Sequence, residues 1–177
     1  QTVQLQYNLI RSHASGTGNP IPPKYVKAAM LARLNTLSLG NSGVHISVVE
    51  VMTMLLNKNI IPLIYEHGGV GASGDLVQLA HLALVLIGEG EVFYKGERKP
   101  TAAVFEAEGI KPIQVELREG LGLINGTSVM TGIGIVNAIY TRRLLEWMIS
   151  CSSAINEIVQ AYDDHLSEDL NLTKKHK

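Results

Sequence analysis

Residues 67–87 read His67-Gly68-Gly69-Val70-Gly71-Ala72-Ser73-Gly74-Asp75, then Leu76-Val77-Gln78-Leu79-Ala80-His81-Leu82-Ala83-Leu84-Val85-Leu86-Ile87. Gly69-Val70-Gly71-Ala72-Ser73-Gly74 fits G-x-G-x-x-G, comes after the apolar run Ile60 to Tyr65 and precedes a helical pattern, which is the setting of a dinucleotide-binding loop. A Rossmann unit then needs a second parallel strand ending in an acidic residue. The chain continues instead with Gly88-Glu89-Gly90 and a segment, Glu91 to Arg98, that alternates around Lys95-Gly96 as an exposed hairpin of two short strands does. In the alternative reading a glycine turn opens the helix Leu76 to Ile87, with the Asp75 carboxylate complementing its dipole. That helix is apolar on nearly every side and is expected to be central and buried.

Val3, Leu5, Leu9 and Ile10 recur at mostly helical spacing from Thr2 to His13, until Ser15-Gly16-Thr17-Gly18-Asn19-Pro20 breaks the pattern. Pro22 and Pro23 suit a helix start, and the stripe Val26, Met30, Leu31, Leu34 and Leu37 ends at Gly40. A third helix is expected from about His45 to Asn57, with Met52 and Met54 as packing residues. Thr101 to Glu108 reads as a short helix, Ile113 to Leu117 as an extended piece, and Leu121 to about Tyr162 as one long helix. The fold class is therefore mainly α, a helical bundle with a small β-hairpin excursion.

The 177 residues are 46% apolar and only 18% charged, against about 25% in an average domain, which points to heavy burial. A chain of this length buries about 70% of its unfolded surface, enough for one core without a disulfide or metal staple. A net charge of −1, from 15 basic and 16 acidic residues, lacks the positive field that holds nucleic acid or an anionic membrane. Between Glu119 and Arg142 lies a charge-free stretch long enough to span a bilayer. Asn125, Thr127, Ser128, Thr131, Asn137 and Gly122, Gly126, Gly132 and Gly134 make it a poor solute for hydrocarbon, so it reads as helix-on-helix packing. Cys151, the single cysteine, forms no internal disulfide, in keeping with a reducing cytoplasm. The chain opens at Gln1 without a methionine, inside a helical pattern. Residues 1–177 are thus expected to be a single partial domain, an internal segment of something longer.

Gly71-Ala72-Ser73-Gly74-Asp75-Leu76 resembles the signature of the aromatic amino acid ammonia-lyases and aminomutases, the histidine and phenylalanine ammonia-lyase family. Leu5-Gln6-Tyr7-Asn8-Leu9-Ile10-Arg11-Ser12-His13, Arg33-Leu34-Asn35, Gly40-Asn41-Ser42-Gly43-Val44, Gly88-Glu89-Gly90 and Glu119-Gly120-Leu121 running into Leu123-Ile124-Asn125-Gly126-Thr127 match it in the same order. The match is nearest to the bacterial histidine and tyrosine enzymes. Val77-Gln78 departs from the usual Ala-Pro, and Ser128 from the Gln common in histidine-specific members.

The resemblance implies that Ala72-Ser73-Gly74 cyclises to a methylidene-imidazolone, with no external cofactor. The Gly74 nitrogen attacks the Ala72 carbonyl carbon, and Ser73 loses its hydroxyl as water to leave an electrophilic methylene. It further implies an aromatic amino acid as substrate, Asn125 as an amide contact to the substrate amine or the prosthetic group, Ser12-His13 as the ring-selecting pair, and a homotetramer in the cytoplasm. A Ser-His pair disfavours phenylalanine, because an imidazole pairs with a polar ring and not with a benzyl group. Histidine stands first and tyrosine second, with an aminomutase of the same family as the alternative and, from a different class, a non-catalytic helical or dinucleotide-binding module. The catalytic base and the carboxylate-gripping arginine match nothing between Gln1 and Lys177, so the isolated segment is expected to be inactive. Bland readings stand beside these. Asn125 is also readable as an amide bridging two helices, and His13 as a helix-terminal histidine on the dipole. His81 reads as a hydrogen-bonded core residue and His45 as a helix-start residue. His67 carries no assigned role, His165 and His176 sit in a polar tail, and Asp163-Asp164 is a solvated or interfacial pair. No His, Cys and carboxylate cluster has metal-ligand spacing.

Overall fold

The computed structural model describes residues 2–175, with only the backbone of Thr2, so that His176 lies outside the described residues. The chain divides into two compact units, Gln1–Val136 and Asn137–Lys177. The order is α1 (Thr2–His13), β1 (Thr17–Pro20), α2 (Pro23–Ser38), α3 (Ile46–Asn57), β2 (Ile61–Pro62), β3 (Tyr65–His67), α4 (Leu76–Leu86), β4 (Glu91–Tyr94), β5 (Glu97–Pro100), α5 (Thr101–Glu108), α6 (Glu119–Ile124) and α7 (Ser128–Ile158), then a 3₁₀ turn (Asp163–Leu166) and α8 (Glu168–Leu172).

In the first unit α4 lies at the centre of the core. Leu79, Ala80, Leu82, Ala83, Val85 and Leu86 are all buried, as an all-round apolar helix requires. They share one cluster with Ile10 of α1, Val26 and Met30 of α2, Met52 and Leu55 of α3, and Leu123 and Ile124 of α6. Met52 packs as expected, whereas Met54 stays 37% exposed because it falls on the outer face of α3. His45 caps α3, its ring accepting from the Ser47 N–H at 3.2 Å.

The hairpin turns at Lys95-Gly96, both in the left-handed region (φ 52° and 81°), as a two-residue type I′ turn demands. It is not the freely exposed excursion expected. Val92 and Tyr94 face the core, and β2 adds a third antiparallel strand with Ile61 opposite Phe93 and Pro62 opposite Val92. A second antiparallel pair, β1 with β3, joins Thr17 to His67 and Pro20 to Tyr65. Neither Thr-Gly-Asn-Pro nor Tyr-Glu-His carries the period-two apolar alternation that reveals a strand, so pattern reading passes over it.

The single long helix expected from Leu121 to Tyr162 is also corrected. Asn125-Gly126-Thr127 splits it into α6 and α7, and α7 ends at Ile158. The stretch Glu119–Ile158 is long and apolar enough to cross a membrane by length and composition. Gly132 serves helix packing, since a Cβ there would lie 2.3 Å from the Ala29 nitrogen and α7 crosses α2 backbone to backbone, whereas a Cβ on Gly134 would meet open space. In the second unit Leu144, Trp147, Met148 and Ile155 are all exposed, as are Cys151 and the Asp163-Asp164 pair.

Candidate active site

The glycine-rich loop runs from the end of β3 to the start of α4, and its two ends are held in different ways. At the near end, the pairing of β1 with β3 brings the chain leaving α1 beside the loop. Gly16 donates its N–H to Nε2 of His81 at 3.1 Å, and the His81 ring meets Tyr65 edge to face with centroids 5.3 Å apart. His81 therefore joins the exit of α1, β3 and α4, which agrees with its reading as a hydrogen-bonded core residue. Burial lowers its pKa from the ordinary histidine value, since the charged ring loses solvent. The unfolded chain then binds a proton on His81 at a pH where the folded chain resists it, so stability falls as pH drops below about 6.5. His81→Gln, which keeps an acceptor but does not titrate, is expected to flatten that fall between about pH 7.5 and 5.5. Urea midpoints at the two pH values measure it, and an unchanged pH dependence in the variant would contradict the assignment.

At the far end, Gly74 has φ +91° and lies against the Gly126 carbonyl, where a Cβ would approach the oxygen to 2.4 Å. The Asp75 N–H donates to that same oxygen at 2.7 Å. Asp75 stands at the N-cap of α4, yet its carboxylate makes no bond to that helix. It crosses instead to the start of α7, where Oδ2 accepts from the N–H groups of Val129 and Met130, both at 2.9 Å. A carboxylate at the positive end of α7 is stabilising there, so the expectation that Asp75 serves its own helix is corrected. Between these anchors Val70, Gly71, Ala72 and Ser73 are exposed.

The contact with Gly126 brings the tripeptide next to Asn125. Asn125 is not an amide inside an apolar helix, as the sequence pattern implied. It sits exposed in the break between α6 and α7, where it lines a pocket of about 510 Å³ with Arg33, Asn35, Ser42 and Ser128. Short α6 is held at both ends. Buried Glu119 accepts from the N–H groups of Glu116, at 2.6 Å, and of His45. Buried Arg33 donates through Nη2 to the Gly122 carbonyl at 2.5 Å and the Leu123 carbonyl at 3.1 Å. Desolvation lowers the Arg33 pKa. Pattern alone assigns Arg33 no role, although a cation inside the apolar stripe of α2 is a signal that could have found it.

Ser12 and His13 end α1. Ser12 Oγ donates to the Leu9 carbonyl at 2.9 Å, and His13 Nδ1 lies 2.9 Å from the same oxygen. The dipole-neutralising reading of His13 thus has a geometric basis, and with the proton on Nδ1 its Nε2 is the accepting nitrogen of the ring. Ser12-His13 connect to the loop through β1 and β3, whereas the tripeptide and Asn125 meet directly at Gly126. His67 lies 3.3 Å from Glu66 and is largely exposed. Among the described residues no group of three His, Cys, Asp or Glu is placed to hold a metal. A second pocket, of about 520 Å³, lies along α3 and the 109–116 segment and contains none of the candidate residues.

The model of the family described as aromatic amino acid lyase matches residues 1–177. The chain belongs to the aromatic amino acid lyase family. The histidine ammonia-lyase of Geobacillus sp. (strain WCH70) is 46% identical to this lyase segment over 167 residues, 92% of the segment and 33% of that protein. That of Bacillus subtilis (strain 168) is 44% identical over 170 residues, 96% and 34% respectively. The crystal structure of histidine ammonia-lyase from Trypanosoma cruzi matches with a TM-score of 0.93 at 31% identity, covering 100% of the segment and 35% of that chain. Tyrosine aminomutase from Streptomyces globisporus matches with a TM-score of 0.70 at 45% identity, covering 75% and 25%. The lyase segment spans about a third of the length of the curated relatives it matches.

Proposed function

We propose that this lyase segment supplies the electrophile of an ammonia-lyase that acts on an aromatic L-amino acid by non-oxidative elimination, histidine first and tyrosine second. The observation that carries the reading is the loop itself. Exposed Ala72 and Ser73 are strung between fixed ends, and Gly74 packs so closely on Gly126 that a side chain has no room. These residues suit a methylidene-imidazolone: Gly74 offers an unhindered backbone nitrogen, and the tripeptide is free to bend back on itself. The group would supply an electrophilic methylene that takes up the substrate amine and makes it a better leaving group.

The chain's own residues then orient the substrate. Asn125, next to the tripeptide, presents an amide to the substrate amine or the prosthetic group. Ser12 holds the last turn of α1 with His13, whose outward nitrogen pairs with a polar ring. Selection comes from that pairing, since a benzyl group leaves the imidazole unsatisfied. The active protein is a cytoplasmic homotetramer in this reading, in keeping with the exposed apolar side chains Leu144, Trp147 and Met148 on α7. A second reading, an aminomutase that returns ammonia to the β-carbon, is favoured by the match to the Streptomyces globisporus structure.

The test uses the longer protein. An intact mass about two waters below the sequence value and a near-ultraviolet absorbance absent from the unclosed chain are expected from the dehydrated, conjugated tripeptide. Incubation with L-histidine and with L-tyrosine should then accumulate an unsaturated acid, whereas a β-amino acid product would select the aminomutase. A full sequence mass with no chromophore would defeat both readings.

A further inference from the structure

Gln78 has no place in the chemistry proposed for the loop, yet it is buried, and its Oε1 has no hydrogen-bond partner among the described residues. Its position explains why it is free. Asp75-x-x-Gln78 has the spacing of a capping box, in which the glutamine would bond the backbone N–H of the capping residue. That N–H is already given to Gly126 and the Asp75 carboxylate to α7, so the box does not form. The Gln78 amide turns instead onto the lead-in of the tripeptide loop. A Cβ on Gly69 would lie 2.8 Å from Oε1, 3.0 Å from Nε2 and 3.3 Å from Cδ, so the whole amide is laid against this glycine. Beside it Gly68 is pressed between Val77 and Gly16. Val77-Gln78, the pair that departs from the family pattern, thus forms the seat of the near end.

Closure of the tripeptide places a mechanical demand on that end. A bond forms from the Gly74 nitrogen to the Ala72 carbonyl carbon, and two waters leave. The Ala72 oxygen departs with the amide hydrogens of Gly74 and Ser73, and the Ser73 hydroxyl departs with its Cα hydrogen. Gly74-Asp75 is tied to Gly126 and α7, so the contraction is taken up on the other side, through Gly71, which has φ +66° and open space around its Cα. We propose that Gln78 is a positioning residue for this closure: its amide seats Gly68-Gly69, and its unpartnered Oε1 accepts a backbone N–H of the loop as the near end moves. This rests on the reading of Ala72-Ser73-Gly74 as the precursor of the prosthetic group.

The experiment compares the longer protein with its Gln78→Met, Gln78→Leu and Gln78→Glu variants. Methionine and leucine fill space without a comparable acceptor, and glutamate keeps one. The readouts are the fraction of chains lacking two waters, the absorbance of the group, turnover per dehydrated site, and thermal midpoint. Gln78→Met and Gln78→Leu are expected to lower the dehydrated fraction several-fold at a nearly unchanged midpoint, with normal turnover at the sites that do close. Gln78→Glu should restore the fraction. Full dehydration in both loss variants would overturn the proposal, as would equal failure of Gln78→Glu at the parent midpoint. A parent that shows no dehydration would overturn the underlying reading, and this proposal with it; Ser73→Ala, which removes the hydroxyl itself, marks that baseline.

Discussion

Ser73→Ala is expected to abolish the ammonia release proposed for the longer protein while leaving the fold intact. In the proposed closure the serine hydroxyl is the group that departs to create the electrophilic methylene, and alanine has nothing to lose. Covalent activation of the amine is removed altogether, so turnover should fall on the order of 10³-fold or more. Ser73 is exposed in a loop and makes no core contact, so the stability change is expected within about 0.5 kcal/mol. Steady-state assays beside a thermal melt check both halves. A variant that retains parental turnover removes Ser73 from the chemistry, and one that melts far lower gives it a structural role instead.

Gly74→Ala reaches the same loss by a different route. The backbone at Gly74 has φ +91°, a conformation that residues with side chains rarely adopt, and the added Cβ would press on backbone atoms of Gly126, at 2.4 Å from the oxygen and 2.9 Å from the carbonyl carbon. Backbone cannot swing aside as the tip of a side chain can. Strain of about 1–3 kcal/mol is expected from the dihedral alone, with the clash in addition. The contact that aligns Asp75 with Gly126 and α7 should loosen, and the Gly74 nitrogen should lose its approach to the Ala72 carbonyl. The expected outcome is a lower melting midpoint together with a missing chromophore and turnover reduced on the order of 10³-fold or more, in contrast with Ser73→Ala, which loses only the latter two. A Gly74→Ala protein that dehydrates fully would show that the close packing at Gly126 is not a condition of closure.

How much of this was legible in the linear chain depended on how local the controlling physics is. Helix α4 was readable because eleven consecutive residues are almost all apolar, a pattern that fits only a buried helix. The turn at Lys95-Gly96 was readable because two left-handed residues in a row are a local requirement. Strands β1 and β3 escaped notice because neither has an apolar face of its own; each exists through hydrogen bonds to a segment some fifty residues away. The break at Asn125-Gly126-Thr127 was masked by apolar residues on both sides, and it forms because Arg33, distant in sequence, holds the last carbonyls of α6.

The same division holds at the candidate site. The residues proposed for the chemistry, Ala72, Ser73 and Gly74 with Asn125 and Ser12-His13, stand in the order of residues, because the ring-closing and ring-selecting roles proposed for them are choices of atoms. Their arrangement is not encoded locally. Asp75 had two positive helix ends within reach, its own and that of α7, and serves the second because the Gly126 carbonyl takes its N–H and turns the carboxylate outward. Gln78 was thereby left without its capping partner and laid beneath the loop. Residue order assigns which atoms are present. Competition among hydrogen-bond partners far apart in the chain, settled when the helices pack, assigns what each atom touches.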